Sequence, residues 1–245
     1  MTWNAPPSTE VLHTLTDLLA GRPAEVRDWS KLVAQAQKER LLLPLWAAID
    51  RKIVPGPLLK AVDEQVTELT LKEVHHSRQL GELVRLLGPD VLAYKGPTLA
   101  HLAFHSSSAR QSGDLDLLVP PHLYQNGVAT LLKDGFEFLY PPPGRCFLTL
   151  NYEITLFHPR RQVTVDLHRS FFSEAMPLRL TGRTTVTISG QAVPTLPPDE
   201  LFLLLAVHGC KHAWRELRWV YDLVGLMSRQ ALDWEKIARL SRLHG

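Results

Sequence analysis

Cysteine is scarce in this chain of 245 residues, with only Cys146 and Cys210. Two widely separated cysteines exclude a disulfide framework and a zinc ribbon, because both need several cysteines at fixed spacing. Free thiols are typical of a reducing compartment. The first ten residues, MTWNAPPSTE, also lack the basic start and the apolar run of a signal peptide. We therefore expect a cytoplasmic protein.

Long apolar runs and an excess of one charge are missing as well. No stretch is apolar for long enough to span a bilayer, so we expect no membrane partner. The 27 basic and 25 acidic side chains leave a formal net charge of +2. Such a balance gives no overall attraction to nucleic acid or to anionic lipid. The charge therefore does not support a nucleic-acid partner.

The first part of the chain, residues 1–88, has the pattern of a helical region. Ser8 or Thr9 can cap a helix that ends near Ala20. Ser30 is the predicted cap of a second, amphipathic helix. The helical spacing of apolar residues predicts a long helix over 58–87, which ends at Gly88.

Residues 89–195 have the pattern of a mixed α/β core. Residues 196–245 have the pattern of a helical region, which we expect to complete a cleft. Short runs of β-branched and aromatic residues alternate with helical segments, and two hairpins follow, around 158–161 and at Ser189-Gly190. Short links between strands imply antiparallel pairing. The sequence therefore predicts an α+β fold with a largely antiparallel sheet and helical regions on either side.

Two of these strands carry carboxylates on one face. In GDLDLLV, Asp114 and Asp116 alternate with leucines and lie about 7 Å apart along the strand. In VTVDLHR, Asp166 and His168 share a face. If the strands are neighbours, the three aspartates converge, and clustered carboxylates suit Mg²⁺. A solvated acidic strand remains the alternative, because D-x-D is a short motif.

A strand–turn–helix, AYKGPTLA, precedes the acidic strand. Gly96 permits close backbone approach, and the start of the next helix offers free N–H groups to a phosphate. Lys95 adds a positive charge. Arg110 follows in a polar loop, as either a phosphate ligand or a salt-bridge partner of the aspartates.

Residues 199–227, projected on one helix, divide into an apolar and a polar face, although a kink or loop near Trp214 would change the phase of the second half. The predicted apolar face contains Ala206, Cys210, Ala213, Trp214, Leu217, Val220, Tyr221 and Val224. The polar stripe contains His208, Lys211, His212, Arg215, Trp219 and Asp222. Histidine and tryptophan are unusual on a solvated face, so we expect this stripe to face a cleft. There Lys211 and Arg215 would contact phosphates and Trp219 would stack on a base.

The remaining histidines permit several interpretations. The spacing of His208 and His212 in HGCKH can chelate zinc, but no glutamate follows the first histidine as zinc proteases require. His168 is favoured as a structural or substrate-contacting residue over a metal ligand. Glu153 is favoured as a charge partner.

The ordered set KGPTLA, ARQSGDLDLLV and VTVDLHR resembles the uncharacterised nucleotidyltransferase family of the DNA polymerase beta-like superfamily. The resemblance covers residues 90–228, including HGCKHAWRELRWVYDL. It implies transfer of a nucleoside monophosphate from a nucleoside triphosphate, with ATP favoured, to an acceptor hydroxyl on a small molecule, peptide or protein. It also implies two Mg²⁺ ions, which Mn²⁺ can replace.

By position, the resemblance makes Asp114, Asp116 and Asp166 both the metal ligands and the catalytic residues. The implied nucleotide-binding residues are Lys95, Gly96, Thr98, Arg110, Lys211, His212, Arg215 and Trp219. Where the family pattern has Gly-Ser, this chain has Gly96-Pro97, with Thr98 or the loop serines as replacements for the missing serine. Two alternatives therefore stay open. One is a catalytically weakened module that binds a nucleotide or a protein. The other is a phosphohydrolase that uses the same aspartates.

Overall fold

The computed structural model describes residues 9–106, 109–140, 151–173, 178 and 180–243. Cys146 and the first part of the strand predicted from it lie outside these ranges. None of the helices within the described ranges is both long and apolar enough to cross a lipid bilayer.

The N-terminal region is helical, as predicted. Its elements are α1 (Thr9–Leu19), α2 (Trp29–Lys38), α3 (Leu42–Ala48), a 3₁₀ turn (Arg51–Ile53) and α4 (Gly56–Leu87). The prediction that Ser30 caps α2 is wrong. The carboxylate of Asp28 accepts the backbone N–H of Lys31 at 3.0 Å, so Ser30 lies inside the first turn. A carboxylate at this position also complements the positive end of the helix.

Strands and helices alternate in the middle of the chain. The helices are α5 (Gly96–Phe104) and α6 (Tyr124–Asp134), and a 3₁₀ turn (Pro121–Leu123) precedes α6. The strands are β1 (Leu92–Ala93), β2 (Leu115–Leu118), β3 (Glu137–Phe138), β4 (Glu153–His158), β5 (Val163–His168), β6 (Thr184–Ile188) and β7 (Gln191–Thr195). Both predicted hairpins, β4–β5 and β6–β7, are confirmed.

Within the described ranges, the main sheet has five strands in the order β1-β2-β5-β4-β3. Of the strand pairs found there, β2 and β5 are parallel, and the other three pairs are antiparallel. The protein therefore has the predicted α+β fold with a mixed, largely antiparallel sheet. Strands β6 and β7 form a separate two-stranded sheet.

The C-terminal region contains α7 (Pro198–Lys211), α8 (Leu217–Arg229) and α9 (Trp234–Leu243). The projection of 199–227 on one helix is therefore wrong, and the alternative of a break near Trp214 is confirmed. Ala213 and Trp214 take φ values of +53° and +50°, a left-handed conformation that ends a right-handed helix. The break changes the phase of the second segment. Val220 and Val224, expected on the apolar face, are exposed, whereas Asp222 is buried.

Two hydrophobic clusters stabilise the chain. One joins α1, α2, α3 and the first turns of α4, with Trp46 fully buried at its centre. The other lies between the main sheet, α5, α6 and α7. The later turns of α4 contribute Leu80 and Leu83 to the second cluster. Because α4 belongs to both clusters, it ties the N-terminal helices to the sheet.

Candidate active site

The parallel pairing of β2 with β5 determines where the carboxylates lie. Asp116 is the direct register partner of Asp166, and Leu117 is the partner of Leu167. Since side chains alternate along a strand, both aspartates extend from one face, and both leucines enter the core on the other. The predicted convergence of the two acidic strands is therefore confirmed. Asp114 lies immediately before β2.

A cavity of about 450 Å³ opens above this acidic face. The sheet and its preceding loop line one side, and α7, α8 and the segment between them line the other. All six residues of the predicted polar stripe line the cavity, namely His208, Lys211, His212, Arg215, Trp219 and Asp222. The stripe therefore faces a cleft as expected, although a helix break divides it.

Three side chains form a compact set of potential metal ligands within the described part of the chain. One ligand atom each from Asp116, Asp166 and His168 lies within 4.8 Å of the other two. Asp114 lines the same cavity but does not belong to this set. Asp166 Oδ1 and both ring nitrogens of His168 are buried without a hydrogen-bond partner. Buried polar atoms usually have partners, so these orphaned atoms fit a bound cation.

The three carboxylates have different electrostatic environments. Burial opposes ionisation of Asp116, but its interactions with Lys95 and His168 outweigh burial and hold the pKa of Asp116 well below its ordinary value. Burial, together with repulsion from Asp114 and Asp116, raises the pKa of Asp166 to about 6 despite a hydrogen bond from Thr155. Burial and the charge of Asp116 also raise the pKa of Asp114. Burial is therefore the main effect that opposes ionisation of Asp114 and Asp166, and repulsion between the carboxylates adds to it.

Lys95 provides the direct counter-charge to the acidic pair. Its Nζ lies 3.1 Å from Asp116 Oδ1 and 5.4 Å from the centre of the Tyr94 ring. Gly96 follows at the first turn of α5 with a φ of +56°, a conformation that favours glycine. A Cβ at Gly96 would lie 3.6 Å from the carbonyl oxygen of Asp114, so the turn packs closely on the acidic segment.

Two of the predicted nucleotide-binding residues lie outside the lining of the cavity. Gly96 is buried in the first turn of α5. Thr98 is fully buried, and its hydroxyl donates to the carbonyl oxygen of Lys95 at 2.7 Å. Thr98 therefore stabilises the turn rather than replacing the missing serine at the cavity surface.

Arg110 pairs with Asp222 and not with the aspartates of the acidic strands. Its Nε and Nη2 donate to the two carboxylate oxygens of Asp222 at 2.8 and 3.0 Å. Burial alone would lower the pKa of Arg110, but the charge of Asp222 raises it. The pair fastens the loop before β2 to α8, on the opposite side of the cavity.

Rings from α7, from the residue that follows it and from α8 pack together on the helical side of the cavity. His208 lies 4.6 Å from His212 and 5.5 Å from Trp219, between ring centres. Burial and the charge of Lys95 lower the pKa of His208 to about 3, so its ring is neutral. In the described ranges, no third histidine, cysteine or carboxylate joins His208 and His212 in a metal set. The zinc interpretation of HGCKH therefore gains no support.

Positive side chains also line the helical side of the cavity. Lys211 donates to the hydroxyl of Tyr152 at 3.0 Å, and its Nζ also lies 5.7 Å from the centre of the Phe172 ring. Arg215 is exposed at the cavity, and Arg218 pairs with Glu216 at 2.6 Å. A ligand that spans the cavity would meet carboxylates on the sheet and cations on the helices.

The sequence did not indicate a buried cluster on α4 behind the acidic strand. Glu73 accepts the backbone N–H of Ser112 at 2.8 Å and also the hydroxyl of Ser112. His76 Nδ1 lies 3.3 Å from that hydroxyl. Glu73 and His76 are both 1% exposed. A glutamate within a long helix is usually on the surface, so only the burial of this face could have revealed that α4 positions the segment before Asp114.

Comparison with known proteins identifies the family of the chain. No curated protein sequence matches the chain. The chain is similar to the crystal structure of an antigenic nucleotidyltransferase-like protein from Paracoccidioides brasiliensis, with 16% sequence identity and a TM-score of 0.41 over 74% of this chain and 87% of that chain. A family model described as "Uncharacterised nucleotidyltransferase" matches residues 25–245. The chain therefore belongs to the uncharacterised nucleotidyltransferase family.

Proposed function

We propose that this protein is a divalent-metal-dependent nucleotidyltransferase. It transfers a nucleoside monophosphate from a nucleoside triphosphate, with ATP favoured, to an acceptor hydroxyl. The register pairing of Asp116 with Asp166 beneath a cavity rimmed by cations is the observation that carries this proposal. Family membership supports the same class of reaction.

In this proposal the carboxylates Asp114, Asp116 and Asp166 hold the metal, Mg²⁺ or Mn²⁺. When bound, divalent metal supplies positive charge that offsets the charge of the reacting phosphates. The buried oxygen of Asp166 that has no hydrogen bond, and the repulsion between Asp166 and the neighbouring aspartates, fit this role. Lys95, whose ammonium group pairs with Asp116, would be free to contact a phosphate once the carboxylate binds metal.

The chain's own residues would position the reactants. Lys211 and Arg215 would contact the triphosphate, and Trp219 with His212 would stack on the base. The acceptor oxygen then bonds to the α-phosphorus, the bond from that phosphorus to the bridging oxygen breaks, and pyrophosphate leaves with the electron pair. Asp166 takes the hydroxyl proton as the general base.

A weakened module that binds nucleotide remains the second candidate. Pro97 favours it, because proline removes one N–H from the first turn of α5, where a phosphate would be held. The ion pair between Lys95 and Asp116 also neutralises one carboxylate of the acidic site. This candidate predicts binding of a triphosphate without turnover.

Calorimetry with a non-hydrolysable ATP analogue, with and without Mg²⁺, tests the proposal. We expect binding that requires Mg²⁺ and is lost in Asp116→Asn, while circular dichroism shows a folded variant. Asp114→Asn tests whether that carboxylate contributes in the same way. Absence of binding by any nucleoside triphosphate would refute the proposal, and metal-independent binding would favour the second candidate.

A further inference from the structure

We propose that His168 is a nitrogen ligand of the metal beside Asp116 and Asp166, so that the site prefers Mn²⁺ to Mg²⁺. This inference rests on the proposed metal-dependent function. It reverses the interpretation favoured by the sequence, in which His168 is structural or contacts substrate.

The state of the His168 ring is the first observation. His168 is 4% exposed, and neither of its ring nitrogens has a hydrogen-bond partner. A buried polar group without a partner costs free energy, so native proteins rarely retain one unless a ligand or water completes it. Each nitrogen of this buried ring lies near a carboxylate oxygen without forming a hydrogen bond to it.

The direction of the ring is the second observation. Nε2 lies 3.6 Å from Asp116 Oδ1, which is too long for a hydrogen bond. Two ligands of one octahedral ion lie about 3 Å apart when adjacent and about 4 Å apart when opposite, given metal–ligand distances of about 2.1 Å. The spacing within 4.8 Å among Asp116, Asp166 and His168 is close to this range.

The far side of the ring supplies the third observation. Nδ1 lies 3.4 Å from Oε2 of Glu153, which is the register partner of His168 on β4. Metal-binding histidines commonly direct their second nitrogen to a carboxylate, which fixes the tautomer and the orientation of the ring. The Tyr94 ring also packs edge-on against His168, with 5.5 Å between centres. Glu153 is therefore a positioning residue for the proposed ligand.

The choice of metal follows from the ligand type. Mg²⁺ prefers oxygen ligands and is bound mainly by carboxylates, phosphates and water. Imidazole nitrogen favours transition metals, and affinity for these sites rises along the first row from Mn²⁺. Mn²⁺ still accepts the two carboxylates. A site with two carboxylates and one imidazole should therefore retain Mn²⁺ in the presence of excess Mg²⁺.

Electron spin-echo spectroscopy of the wild-type protein loaded with Mn²⁺ tests the proposal without any assay of activity. We expect modulation from one directly coordinated ¹⁴N nucleus, which changes to the ¹⁵N pattern when the protein carries ¹⁵N-histidine. The modulation should vanish in His168→Gln and persist in His208→Gln, which alters another histidine of the same cavity. We also expect Glu153→Gln to weaken Mn²⁺ binding by roughly tenfold.

Each contrary result has a distinct meaning. Bound Mn²⁺ without nitrogen modulation in the wild type overturns the role of His168 and leaves the carboxylate site intact, provided that Asp116→Asn abolishes binding. No Mn²⁺ binding at all overturns this inference and the metal-dependent function together. Displacement of Mn²⁺ by an equal concentration of Mg²⁺ overturns the stated preference. The wild-type spectrum decides the first point even if His168→Gln fails to fold.

Discussion

Arg110 and Asp222 form a two-point ion pair that joins the segment before β2 to α8 across the cavity. Asp222 is 1% exposed, so its buried carboxylate needs compensation, and Arg110 supplies a direct ion pair at 2.8 Å. The pair maintains the distance between the acidic face of the sheet and the ring cluster of His208, His212 and Trp219.

We expect Arg110→Met to destabilise the protein by about 3–5 kcal/mol, because it leaves a buried charge unpaired. The double variant Arg110→Met/Asp222→Leu should recover much of this loss, since both charges are then removed. Urea unfolding of four proteins, which are the wild type, Arg110→Met, Asp222→Leu and the double variant, measures the coupling. A double variant as unstable as the sum of the single variants would show that Arg110 does not act through Asp222.

Lys95 should affect metal and nucleotide in opposite directions. Lys95→Met removes a cation 3.1 Å from Asp116, so we expect Mn²⁺ alone to bind roughly tenfold more tightly. The same variant should weaken binding of the ATP analogue, because a phosphate contact is lost. Calorimetry measures both affinities, with Lys133→Met on α6 as a control at a distant lysine. Unchanged affinity for Mn²⁺ would contradict the importance of this ion pair.

The carboxyl of Asp166 makes the stability of the metal-free protein depend on pH. Its pKa is about 6 in the folded chain and near 3.8 when unperturbed. Because the folded state binds the proton more tightly, the carboxyl favours folding below pH 3.8, and this advantage disappears as pH rises through 6. At pH 8 the ionised carboxylate should cost on the order of 3 kcal/mol.

Asp166→Asn should therefore stabilise the protein in EDTA at pH 8 and change its stability little at pH 4. Denaturant unfolding at the two pH values provides the measurement. A variant that is less stable than wild type at pH 8 would mean that burial does not penalise this carboxylate.

Trp219 should provide affinity for the base. Loss of one base–aromatic contact costs about 1–3 kcal/mol, so Trp219→Ala should raise the Kd of the ATP analogue by about tenfold or more. Trp234→Ala is the matched control, because Trp234 is an exposed residue of α9 that packs against Phe202. Equal Kd values for wild type and Trp219→Ala would remove Trp219 from the binding site.

The alternation of leucine and aspartate was sufficient to predict one acidic face on β2 and another on β5. It could not establish their register, because pairing depends on contacts between distant parts of the chain. The ordered motifs supplied the family, and the unusual histidines and tryptophan of the polar stripe predicted a cleft.

Other features had no local signal. Ala213 and Trp214 take a left-handed conformation without a glycine or proline to announce the helix break. The partner of Arg110 is 112 positions away, and Glu73 looks like a surface residue of a long helix until α4 is packed on the sheet. Such long-range compensation of buried charge depends on tertiary structure, which short motifs do not encode.

The products formed from α-³²P-labelled ATP distinguish nucleotidyl transfer from other reactions of a triphosphate. With Mg²⁺ or Mn²⁺, we expect pyrophosphate to be released and the label to appear in AMP or in an AMP-modified acceptor. We also expect Asp166→Asn to lower this rate by about a hundredfold or more. Release of orthophosphate with labelled ADP, or an undiminished rate in Asp166→Asn, would contradict the proposed nucleotidyl transfer.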